Sequence, residues 1–112
     1  MKDTLEVLSD IADERARQDE KWGIQDWEFI RPEVFPVMER LAPAAKAECD
    51  KFAKLGTISW FDILIEEVYE AFAETDPDKQ IAELVQVAAV ASAAIESIER
   101  RRNGIVQIRG KE

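Results

Sequence analysis

The chain has 112 residues, 46% apolar and 35% charged, with four glycines and four prolines. That is enough for one hydrophobic core, and the wealth of Ala, Glu and Leu favours helices over strands. A net charge of −9 disfavours nucleic-acid binding, and the absence of histidine removes Ser-His-Asp and Cys-His catalysis and imidazole zinc sites. The single cysteine, Cys49, forms no internal disulfide and is expected as a small buried apolar residue in a reducing cytoplasm.

In chain order, residues 3–20 form the first predicted helix. Leu5, Leu8, Ile11 and Ala12 recur at helical spacing, and Gly23 is the stop. Residues 24–32 form a loop carrying Trp27 and Phe29. A second helical pattern over residues 33–55 contains Pro36 and Pro43, so two short pieces or one kinked helix are expected, ended by Gly56.

Ser59 and Asp62 make a capping-box pattern that opens a helix over residues 60–75. Its apolar half holds Trp60, Phe61, Leu64, Ile65, Val68, Tyr69, Ala71 and Phe72. Trp60, Phe61 and Tyr69 are expected in the core. Asp76 and Pro77 restart the chain as N-cap and first helical residue, and the last helix runs to Arg102, about 39 Å at 1.5 Å per residue. Asn103-Gly104 stops it, and Ile105–Ile108 alternates as a short strand or arm would.

The fold class expected is all-α, an antiparallel bundle of about four helices in a single domain over residues 1–112, with 103–112 as a tail. The last two helices pair across a short loop. Between Leu84 and Ile95 the last helix is apolar or small on nearly every side, which calls for burial and for a homodimer or homotetramer. That uncharged run is too short to span a bilayer, and the N-terminus has no apolar leader, so a cytoplasmic protein is expected, without membrane or nucleic-acid partners.

Chemistry concentrates in one carboxylate constellation. Glu66, Glu70 and Glu74 stack at i, i+4 and i+8, with Glu67 beside them and no basic residue between Lys54 and Lys79. Like charges at this spacing cost a few tenths of a kcal/mol per pair, roughly, unless a cation lies among them. Glu83 is the only acid from Lys79 to Ile95 in a helix otherwise suited to a core, and a buried carboxylate needs a cation or a proton. Carboxylates converging from two helices suit Mg²⁺, or Mn²⁺. The same spacing also fits a solvated acidic face.

Glu66-Glu67-Val68-Tyr69-Glu70 followed by Glu83-Leu84-Val85-Gln86 resembles the Glu-Glu-x-x-Glu and Glu-x-x-Asp elements of the MazG-like, all-α nucleoside triphosphate pyrophosphohydrolases. Glu14-Arg15-x-Arg17-Gln18-x-x-Lys21-Trp22-Gly23 is similar to the N-terminal motif of their short phage and actinobacterial members. The resemblance covers most of residues 14–23 and 45–102. It implies hydrolysis of an NTP or dNTP between the α and β phosphates, giving a monophosphate and pyrophosphate. It also implies Glu67, Glu70 and Glu83 as metal ligands, with Glu66 as a further ligand or an activator of water. Gln86 replaces the aspartate, and an amide ligates weakly and brings no charge. Lys21 and Arg17 then become phosphate contacts, with Arg15 a weaker candidate, and Trp22 and Gln18 become base contacts. Two other readings fit the residues: a catalytically weak or inactive helical nucleotide-binding or protein-interaction module, and an acidic DNA mimic.

Overall fold

The computed structural model describes residues 2–104, and all of the regular structure among them is helical. Helix α1 spans Thr4–Trp22. Asp3 caps it through the Glu6 N–H while the Glu6 carboxylate accepts the Asp3 N–H, a complete capping box. Gly23, at φ 70°, ends it and returns its N–H to the Asp19 carbonyl. The stop at Gly23 follows the expectation, with two more residues in the helix.

Helix α2 is one continuous element, Phe35–Leu55, rather than two pieces. Pro36 sits in its first turn, where the missing N–H has no intrahelical acceptor to lose. Pro43 lies inside, so the Glu39 carbonyl forgoes one bond and the helix carries on around it. Gly56 closes it in the left-handed conformation at φ 75°, ψ 17°, which a side chain rarely adopts.

Helix α3 spans Trp60–Phe72, capped by Ser59 and Asp62 as expected. It ends three residues earlier than residue 75. The Glu74 carboxylate accepts the N–H groups of Thr75 and Asp76, and the Gln80 amide donates to the Glu74 carbonyl, so the turn supplies the bonds that a longer helix would have made. Glu74 therefore leaves the glutamate row. Helix α4 spans Pro77–Arg102, with Asp76 accepting the Lys79 N–H at its start. The strand or arm anticipated at Ile105–Ile108 lies outside the described residues.

The chain divides into two compact units. One holds α1 with α4 from Ser92 onward; Val7 and Ser92 are buried there, and the Thr4 hydroxyl donates to the Glu96 carboxylate at 3.0 Å. The other, Glu28–Ala91, holds α2, α3 and the first half of α4. In it α2 packs along α3, in place of the expected pairing of α3 with α4, which make no close backbone contact among the described residues. The four-residue connection 56–59 makes the two helices antiparallel neighbours. Ala42 and Cys49 are buried on the face of α2 that carries Lys46, and Ala71 is buried on α3. Phe29 stacks on Phe72 at 4.7 Å and anchors the loop before α2.

Three expectations about burial are corrected. Trp60 and Phe61 are 38% and 71% exposed rather than core, Phe61 at the rim of a cavity that it lines with residues of α2. Tyr69 is half-buried at the edge of a cavity rather than enclosed. Along α4 the apolar side chains Ile81, Leu84, Val85, Ile95 and Ile98 are exposed, and Ser92 alone of its described residues is buried. One chain of this size does not cover so apolar a helix. An 18-residue stretch of α4 has mean hydropathy 1.6, so by length and composition it is long and apolar enough to cross a membrane, although Glu83 and Glu96 interrupt it.

Candidate metal centre

Glu66, Glu67 and Glu70 occupy successive positions on the polar side of α3, at i, i+1 and i+4. Each offers a carboxylate oxygen, and these oxygens lie within 4.8 Å of one another. All three side chains are half-buried, and that of Glu66 is only 14% exposed. Carboxylates gathered this closely and partly withdrawn from water repel one another unless a proton or a cation intervenes. Glu83 stands outside that mutual reach, yet its charge acts on both Glu67 and Glu70. Gln86, one turn further along α4, is exposed.

The protonation equilibria record the crowding. Burial, then the charges of Glu67, Glu66 and Glu83, and a hydrogen bond with Glu66 push the Glu70 carboxyl up to about 7. Glu67 is raised by burial and by Glu83 and Glu66, while Lys46 opposes the shift.

Helix α2 supplies the other wall. Lys46 Nζ lies 4.0 Å from Glu66 and 3.9 Å from Asp50, two loose ion pairs on a solvated side chain. Cys49 is buried as expected, and burial, then a hydrogen bond with Glu66, push its thiol up to about 11, so it stays neutral. Neither neighbour is evident from the sequence, because both reach Glu66 across a helix–helix contact. The available signal is spacing: Ala42, Lys46, Cys49 and Ala53 share one face of α2.

The residues proposed for substrate lie on α1, in the other compact unit. Arg15 pairs with Asp19 at 2.8 Å and donates to Gln18, and Arg17 pairs with Glu14 at 2.7 Å. Lys21 Nζ lies 4.8 Å above the Trp22 ring, which is 60% exposed. All of these side chains are open to solvent, and their charges are engaged along their own helix.

On the other side of the α2–α3 seam from the glutamates lies a mostly apolar cavity of about 290 Å³, lined by Leu41, Ala45, Phe52, Phe61, Ile65 and Tyr69 together with Glu48 and Asp62. No family of known proteins, no curated protein and no solved structure matches the chain.

Proposed function

We propose that the chain is a divalent-cation-dependent nucleotide pyrophosphohydrolase that splits an NTP or dNTP into the monophosphate and pyrophosphate. The observation that carries this reading is the convergence of the Glu66, Glu67 and Glu70 oxygens within 4.8 Å, with the Glu83 charge felt at the same place. An all-oxygen, all-carboxylate donor set fits a hard cation, Mg²⁺ or Mn²⁺. The raised Glu67 and Glu70 carboxyls fit as well, since a cation relieves the same repulsion that a proton does. The motif resemblance to MazG-like enzymes supplies the choice of substrate.

In this reading Glu66, Glu67 and Glu70 would hold the cation; the resemblance adds Glu83 as a ligand and Gln86 as a weak one, although Glu83 lies outside the reach those three share. When bound, the cation neutralises phosphate charge and lowers the pKa of a coordinated water. Glu66, or Glu67 beside it, accepts a proton from the attacking water. The new P–O bond forms at the α phosphorus, the α–β bridging bond breaks, and pyrophosphate leaves with its electron pair. The resemblance also implies Lys21 and Arg17 as phosphate contacts and Trp22 and Gln18 as base contacts, a part of the reading that rests on the motif alone.

The test is a panel of the canonical NTPs and dNTPs with Mg²⁺, assayed for pyrophosphate and for orthophosphate. Pyrophosphate without orthophosphate is expected. If no nucleotide turns over with metal supplied, the hydrolase reading fails. Gln86, which brings no charge where the motif carries aspartate, favours the alternative of a binding module without turnover. Calorimetry showing Mg-nucleotide binding but no hydrolysis would establish that alternative.

A further inference from the structure

We propose that Lys46 of α2 is a phosphate-contacting residue of the glutamate centre and holds the pyrophosphate portion of the substrate. This rests on the hydrolase reading above and adds a residue to that same site.

Lys46 is the basic side chain that the fold sets against the cluster. Among the described residues no other lysine or arginine nitrogen lies within 4.0 Å of a carboxylate oxygen of Glu66, Glu67, Glu70 or Glu83. Cys49, three positions further along the same face of α2, also meets Glu66, so that face is turned toward the centre. The charge of Lys46 is felt at Glu67 as well.

Its ammonium is not committed to a partner. The distances to Asp50 and Glu66, 3.9 and 4.0 Å, exceed hydrogen-bond length, and the side chain is 60% exposed on a flexible four-carbon stem. Arg15 and Arg17, by contrast, pair at 2.8 and 2.7 Å along α1.

Geometry and charge both bring a phosphate to this ammonium. Ligands bound at about 2.1 Å to an octahedral Mg²⁺ stand ~3–4 Å from one another. A phosphate oxygen that shares a cation with Glu66 therefore lies about as far from the Glu66 carboxylate as Lys46 Nζ already does. A small rotation of the stem closes the contact. Glu66, Glu67 and Glu70 carry three negative charges and one divalent cation returns only two, so an incoming polyphosphate still meets a negative centre. Lys46 supplies the missing positive charge, and a lysine serves phosphate as a point charge, without the fixed fork of an arginine.

The test is a calorimetric titration of the full chain with pyrophosphate at saturating Mg²⁺, comparing wild type with Lys46→Met and Lys46→Arg. Wild type is expected to bind, Lys46→Met to bind about tenfold or more weakly, and Lys46→Arg, which keeps the charge, to stay within about threefold of wild type. In the NTP assay Lys46→Met should raise KM about tenfold with kcat within about threefold. Both variants should keep the wild-type circular dichroism and urea midpoint, since loose exposed ion pairs contribute little. Unchanged affinity in Lys46→Met, equal losses in Lys46→Met and Lys46→Arg, or no binding of Mg-pyrophosphate by wild type overturns the proposal. A fall in kcat with pyrophosphate affinity unchanged also overturns it and makes Lys46 a positioning partner of Glu66. Pyrophosphate binding that depends on Lys46, without turnover of any NTP, leaves the contact standing and sinks only the hydrolase reading. Turnover of an NTP with KM and pyrophosphate affinity unchanged in Lys46→Met does the reverse.

Discussion

At the scale of single residues, Glu70 carries the sharpest consequences. Its carboxyl sits near 7 instead of the usual 4.5, so between those pH values the folded chain holds a proton that the unfolded chain has lost. Stability contributed by this group is therefore complete below about pH 4.5 and declines as pH rises through 7. After solvent screening of a partly exposed group, the loss is about 1 kcal/mol. Urea midpoints of the metal-free protein at pH 5 and pH 7.5 measure it, and Glu70→Gln should flatten the dependence. A profile unchanged by that substitution would show that Glu70 titrates normally. In the pyrophosphate assay, Glu67→Gln and Glu70→Gln should each lower kcat by about a hundredfold or more while leaving helicity intact. Glu74 offers the contrast: the sequence stacks it in the same row, but it bonds to the Thr75 and Asp76 N–H groups, so Glu74→Gln should leave turnover within about twofold.

At the scale of elements, local chemistry was legible and lengths were less so. The stops at Gly23 and Gly56 and the cap at Ser59 are decided by residues within four positions of the boundary. Whether α2 was two pieces or one helix was left open by its prolines, and local pattern did not choose. Pro43 costs one backbone bond and some steric strain, and what offsets it is the packing of α2 along α3, which no local pattern contains. Ser59→Ala should cost about 1 kcal/mol by removing the acceptor for the Asp62 N–H, read as a lower urea midpoint at 222 nm with an unchanged m-value. An unchanged midpoint would mean that Asp62, through the Ser59 N–H, fixes the start of α3 alone.

At the scale of the whole molecule, the apolar side of α4 sets the expectation. Ile81, Leu84, Val85, Ile95 and Ile98 lie exposed, and solvating them is unfavourable by roughly 25 cal/mol per Å² of apolar surface. We propose that a second copy covers this face, as the sequence already suggested. Light scattering coupled to size exclusion should give a dimer or tetramer, and Val85→Glu should shift it toward monomer; a wild-type monomer at micromolar concentration would refute this. Added Mg²⁺ should raise Tm in wild type and not in Glu67→Gln, since a ligand that binds only the folded state stabilises it by mass action.

The sequence by itself determined that this protein is all-α and, to within two residues, the bounds of α1, α2 and α4, and it singled out Glu66, Glu67, Glu70 and Glu83, of which the structure brings the first three together. Each of these depends on residues within a few turns of one another, where helical periodicity and capping chemistry act. The tertiary structure decided the rest. It placed Lys46 and Cys49 against Glu66, drew Glu74 away, opened the cavity beside Tyr69 and left Phe61 and the α4 side chains in solvent. The reason is that a helical face fixes which residues point the same way, whereas what they meet depends on a neighbour that can be distant in the chain.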